Sequence, residues 1–167
     1  FMLSAYNTFV AAQLLVFAVA IQGVNLLTGY SGQLSFGHGA FYAVGAYTVA
    51  ILLSHFGLSY IVGLVVAAVL CLVIGLLFGL PALRLEGHYL ALATFGLAIA
   101  VPQLLKLNAF QSWTGGVQGI ILDKPDAPLG LPLNPDQWLY FVALLLTLVV
   151  FLTSWNLTRG RIGRALI

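Results

Sequence analysis

YIVGLVVAAVLCLVIGLLFGL, Tyr60 to Leu80, is a continuous apolar run without an acidic, basic or amide side chain. A helix needs about 20 apolar residues to cross a bilayer. Lipid offers no partner to a free backbone N–H or C=O, so a run of this kind must be a helix or part of a closed barrel. Barrel strands alternate in polarity over about ten residues, and this run does not alternate. The helix reading follows. Working outward, four further runs are mostly apolar and hold no Asp, Glu, Lys or Arg: Phe9 to Leu27, Ala40 to Leu53, His88 to Leu105 and Trp138 to Trp155. The sequence therefore predicts an all-α integral membrane protein, a polytopic bundle of about five transmembrane helices forming a single membrane domain over 1–167.

The charge pattern supports this. Charged side chains make up 6% of the 167 residues, against about 25% in a soluble domain, too few to keep a soluble surface wet. None occurs before Arg84. The rest lie at Arg84 and Glu86, between Lys106 and Asp136, and at Arg159, Arg161 and Arg164. The net charge of +2 is no nucleic-acid signal, because the basic residues sit at span ends. Short breaks fall at His55–Ser59 and at Arg84–Gly87, with Pro81 expected to end the third span. Residues 106–137 read as an extracytoplasmic loop, since Pro125, Pro128, Pro132, Pro135 and the Gly115–Gly116 pair oppose a long helix. Arg159, Arg161 and Arg164 follow the fifth span with no acid among them, which puts the C-terminal end in the cytoplasm by the positive-inside rule. Parity places Arg84 on the same side and Phe1 outside. The start FMLSAYNTF has no basic n-region or small-residue cleavage site. A first residue Phe1 and an outward N-terminus suggest a fragment whose preceding span has been cut away.

The stretch joining the first two runs, GYSGQLSFGHGA from Gly29 to Ala40, carries no formal charge and is rich in Gly and Ser. Glycine costs about 1 kcal/mol relative to Ala within a helix, so one uniform helix is disfavoured. Two structures fit: a plain cytoplasmic turn, or a broken or re-entrant helix partly inside the membrane, where freed backbone groups line the path of a polar solute. On the second reading the candidate pathway residues are Gln22, Asn25, Gly29, Ser31, Gly32, Gln33, Ser35, Gly37 and His38. Gln22 and Asn25 share a helix face near the end of the first run, where interhelical hydrogen bonding is the bland alternative. Ser31, Ser35 and Gly39, four apart, would permit close helix packing, as would the G-x-x-x-G of Gly75 and Gly79. Pro102 and Gln103 suggest a kink with a polar patch. His38 has no carboxylate or cysteine beside it, and packing or a local hydrogen bond suits it better than a proton relay. Cys71 is alone in an apolar run, so neither a disulfide nor a metal site is expected. No span holds an acid for acid–base chemistry, and no Walker A, G-x-S-x-G or H-E-x-x-H pattern is present. The chain does not read as an enzyme.

Four segments together resemble one family. NLLTGYSGQLSFGHGAFYAVGAYT (Asn25–Thr48), GLPALRLEGHYLALATFG (Gly79–Gly96), WTGGVQGI (Trp113–Ile120) and TRGRIGRALI (Thr158–Ile167) are similar, in that order, to LivM-type permeases of branched-chain amino acid ABC importers. The resemblance implies a multi-pass subunit in a bacterial or archaeal plasma (inner) membrane. It implies a second, similar permease, two cytoplasmic ATPases carrying the ATP and Mg, and an extracytoplasmic binding protein. No cofactor is implied for this chain itself. Relatives carry urea or short amides, which is the alternative substrate class. A passive channel or a scaffold subunit of a membrane complex is the alternative from another class. The family's permeases have further spans after the tail and usually one before, so the chain departs by length. The ATPase-facing segment would begin near Arg159, with Arg161 and Arg164 as coupling candidates, and would run past Ile167.

Overall fold

The computed structural model describes residues 5–82, 85, 87–125, 127 and 134–160. Among them there is no strand. The helices are α1 (Ala5–Val24), continued by a π-helical stretch Asn25–Tyr30, then α2 (His38–Phe56), α3 (Tyr60–Ala82) and α4 (His88–Leu105). A 3-10 turn Asn108–Phe110, a short α5 (Gln111–Thr114) and α6 (Pro135–Arg159) follow. Five of these helices, counting α1 with its continuation, are long and apolar enough to cross a membrane.

Burial is inverted relative to a soluble protein. The only buried apolar residues described are Ala40, Ala67 and Leu90, while Leu72, Leu77 and Leu92 are each more than 60% exposed. In water that surface would drive aggregation; in a bilayer the acyl chains solvate it. Helix contacts must then come from close packing of small residues rather than from a hydrophobic drive.

The chain forms two compact units, Phe1–Gly32 with Asp123–Ile167, and Gln33–Leu122. In the first, α1 packs along α6. Lys124 Nζ lies 2.7 Å from Asp136 Oδ1 and 5.3 Å from the Phe9 ring centroid, joining the N-terminal ends of both helices. Midway, Thr147 Oγ1 donates to Ala143 O at 2.7 Å and reaches Leu15 O at 3.5 Å. The two helices therefore run parallel, as the first and fifth of five successive spans must. Thr8 and Ser154 are buried on them. The start of α6 is set by a capping box: Asn134 caps it and Gln137 Oε1 accepts Asn134 N–H at 3.2 Å. Pro135 takes the first helical position, where its missing N–H costs nothing, and Asp136 complements the helix dipole. The expected loop 106–137 is therefore shorter than predicted at its C-terminal end. Pro135 starts the helix rather than opposing it.

In the second unit α2 and α3 form an antiparallel hairpin closed by Gly57 N–H to Leu53 O at 3.2 Å and Leu58 N–H to Leu52 O at 3.3 Å. Glycines set its register. A Cβ on Gly63 would sit 3.1 Å from Leu53, one on Gly45 3.6 Å from Cys71 Sγ, and one on Gly75 3.7 Å from the Phe41 ring. No described atom lies within 4 Å of such a Cβ on Gly79. α4 packs beside α2. Pro81 lies in the last turn of α3 and does not end the helix before Ala82. Pro102 lies inside α4. Arg84, Glu86, Asp126, Pro128, Pro132, Arg161 and Arg164 fall outside the described residues.

Candidate functional site

The Gly/Ser stretch divides between the two units, and each part has its own local cause. In the first unit the helix does not stop at Leu27 but widens and runs to Tyr30. Gln22 and Asn25 therefore lie within the helical span, Gln22 half-buried and Asn25 exposed, and neither side chain makes a hydrogen bond to a described residue. π-helical turns leave backbone carbonyls without their usual i+4 donors and concentrate at functional sites. Here hydroxyls supply part of the deficit: Thr28 Oγ1 donates to Val24 O, and Ser31 Oγ reaches Leu26 O, five residues back, at 3.5 Å. Asn25 Oδ1 folds over Gly29, where it would be 2.7 Å from any Cβ. The run ends at Gly32, whose φ of +62° is a left-handed conformation that L side chains adopt at a cost of about 1–2 kcal/mol.

In the second unit, Gln33 and Leu34 are exposed and non-helical. Ser35 Oγ accepts Gly37 N–H at 3.4 Å, and Phe36 N–H donates to Thr94 Oγ1 on α4 at 3.1 Å. The Phe36 and Phe95 rings meet edge to face at 6.2 Å. Gly37 is buried, and a Cβ there would stand 3.4 Å from Thr94 Cβ. His38 opens α2, and its Nδ1 is enclosed with no hydrogen-bond partner among the described residues.

Thr94 lies six residues into α4, about 9 Å from its start at His88. The α2–α3 register that sets Phe41 beside Gly75 brings His38 alongside the turn of α3 before Ala82. Phe36 and Gly37 thus lie alongside α4 inside its first turns rather than beyond its end. The small-residue stripe expected from Ser31, Ser35 and Gly39 does not form, because Ser31 to Gly37 is not helical and Gly39 faces open space.

Thr94 is a positioning residue that the sequence reading missed. Its signal was a lone hydroxyl in the apolar face of a helix. Its Oγ1 also donates back to Leu90 O and Ala91 O at 3.0 and 3.1 Å, so it reaches Phe36 without leaving an unsatisfied proton. Thr94→Val keeps the shape and orphans Phe36 N–H. A loss of about 1 kcal/mol in thermal stability of the assembled full-length protein is expected, largely restored by Thr94→Ser.

Residues 6–167 match the family described as the branched-chain amino acid transport system, permease component. The chain belongs to this family. It is 34% identical over 99% of its length to the high-affinity branched-chain amino acid transport system permease protein LivM of Escherichia coli (strain K12). The identity and coverage are the same for LivM of Salmonella typhimurium (strain LT2). The chain spans 44% of the length of each of these relatives. No solved structure matches it. Of the three tail arginines in this permease-family chain, Arg159 is described: its guanidinium lies 3.9 Å from the centroid of the Trp155 ring at the C-terminal end of α6. A cation there also complements the helix dipole.

Proposed function

We propose that the full-length protein is the membrane-spanning permease subunit of an ATP-driven ABC importer that brings branched-chain amino acids into the cytoplasm. The observation carrying this reading is the family match over 6–167. The interrupted, uncharged segment Ser31–Gly37 between longer helices supports a polar route through the subunit. An amino acid carries an ammonium and a carboxylate and needs polar contacts on its way. With no charged side chain there, backbone groups of Gly29, Gly32 and Gly37, with Ser31, Gln33, Ser35 and His38, would supply them, and Gln22 and Asn25 would extend the path along α1.

The proposed assembly contains a second permease, two cytoplasmic ATPases that bind the ATP and Mg, and an extracytoplasmic binding protein, in a bacterial or archaeal plasma membrane. Both units would act within one transmembrane permease domain. Arg159, Arg161 and Arg164 would lie on the cytoplasmic, ATPase-facing side, and Gly75 and Gly79 would serve helix packing. Reconstitution of the complete complex in liposomes is the test. ATP-dependent uptake of labelled leucine, competed by isoleucine and valine, is expected. Uptake competed instead by urea or acetamide would overturn the substrate class, and ATP-independent equilibration would overturn the importer. In the same liposomes a cysteine at Gly160 should be shielded from an impermeant thiol reagent on the binding-protein side.

A further inference from the structure

α1 changes form at its C-terminal end while the rest of it stays tied. All the groups concerned lie within one compact unit, Phe1–Gly32 with Asp123–Ile167. Up to Val24 the chain is an ordinary α-helix. It is held to α6 by the Thr147 hydroxyl at Leu15 O, and by Lys124 between Asp136 and the Phe9 ring. From Asn25 to Tyr30 the backbone bonds span five residues instead of four. Gly32, left-handed at a φ of +62°, then takes the chain off the helix axis. A fixed shaft thus ends in a wider turn, and that turn leads into the Gly/Ser segment.

The groups that hold the wide form are ones the narrow form can replace. Thr28 Oγ1 donates to Val24 O, the carbonyl that the Thr28 amide would take in an α-helix. Ser31 Oγ reaches Leu26 O at 3.5 Å, the carbonyl that the Tyr30 amide would take. Both acceptors are therefore served in either form, with hydroxyls taking part in the wide one and amides in the narrow one. Exchange between the forms leaves neither carbonyl bare. The third restraint is steric. Asn25 Oδ1 lies over Gly29, 2.7 Å from where a Cβ would stand, so the wide form uses a place that a side chain at position 29 would occupy.

The wide turn is level with the end of α6. Thr147 beside Leu15 marks the register of the two parallel helices. α6 runs on from Thr147 to Arg159, about 18 Å, and α1 with its continuation runs on from Leu15 to Tyr30, about 22 Å at α-helical rise. Both end at nearly the same height, and Ser154 is buried there, 5% exposed. We infer that Asn25–Tyr30 is a two-state hinge: π-helical here, it closes to an α-helix when the ATPases displace the C-terminal end of α6. A one-residue change of register turns Ser31 and Gly32 by about 100° around the axis. The peptide chain itself passes that turn on to Gln33, at the entry of the candidate route. The ATPases as drivers rest on the permease reading; the change of helix form does not.

The test uses the complete complex built on the full-length protein. Cryo-EM maps that resolve backbone carbonyls are compared for the nucleotide-free complex and for one holding ATP on hydrolysis-deficient ATPases. Asn25–Tyr30 should be π-helical in one and α-helical in the other. The same form in both would overturn the hinge, even with normal leucine uptake. Thr28→Val keeps the shape but removes the hydroxyl from Val24 O, which biases the balance towards the α form. Its uptake should fall about fivefold at unchanged ATPase content, with Thr28→Ser within about twofold of wild type. Wild-type uptake by Thr28→Val would overturn the part given to the hydroxyl. A wild-type complex without ATP-dependent uptake would overturn the permease reading, while a change of form between the two maps would still support the hinge. Should Thr28→Val not assemble, Gly29→Ala carries the same test, because its methyl displaces Asn25 Oδ1 and favours the α form. A π-helical stretch in both maps of that variant would overturn the inference.

Discussion

Gly115→Ala should destabilise the protein more than a methyl added at any other glycine whose surroundings are described. The atom in the way is the backbone carbonyl of Gly119, not the end of a side chain that can swing aside. To this is added the cost of a left-handed non-glycine residue, about 1–2 kcal/mol. The turn must open, and opening it breaks the Thr114 clasp on Leu105 and Phe110. A total of about 3 kcal/mol or more is expected, a fall in melting temperature on the order of 5–10 °C for the purified complex in detergent. Gly96→Ala, where no described atom lies within 4 Å, is the matched control and should melt near wild type. Equal melting of the two variants would mean that the chain does not double back at Gly115.

Gly37→Leu should abolish uptake while expression and assembly with the ATPases persist. Gly37 is buried, and a Cβ alone would already touch Thr94 at 3.4 Å. A whole isobutyl group must push Phe36 off Thr94 or displace the start of α2. Gly32→Leu tests the same segment by another route. Its Cβ would meet open space, but its φ of +62° disfavours any L side chain by about 1–2 kcal/mol. Labelled-leucine uptake, with binding-protein and ATPase content measured in parallel, separates transport from folding. Normal uptake by both variants would make the segment an ordinary turn.

The helices were legible because lipid leaves a chain few choices: Tyr60 to Leu80 has no polar side chain to argue with, and α3 forms over that run with two residues more. The break between α1 and α2 was legible for the same reason, through the glycine cost. Its edges were not. Asn25 to Tyr30 remains helical in a wider form because Thr28 and Ser31 supply hydroxyls to the freed carbonyls, and that depends on register rather than composition. Asn134, Pro135 and Gln137 form a helix start that local pattern could have revealed, but four prolines close together masked it. The doubling back at Gly115 was beyond reach, since it is set by Thr114 finding Leu105 and Gly119 finding Tyr47 across the fold.

The inverted burial changes what heat does to this chain. A soluble domain unfolds with a large rise in heat capacity because its apolar core meets water. Here Leu72, Leu77 and Leu92 already face the surrounding medium in the folded state, and in a membrane that medium is acyl chain. Loosening the bundle without expelling it from the bilayer or micelle therefore brings little new apolar surface to water, so the heat-capacity step is small and the stability curve flat.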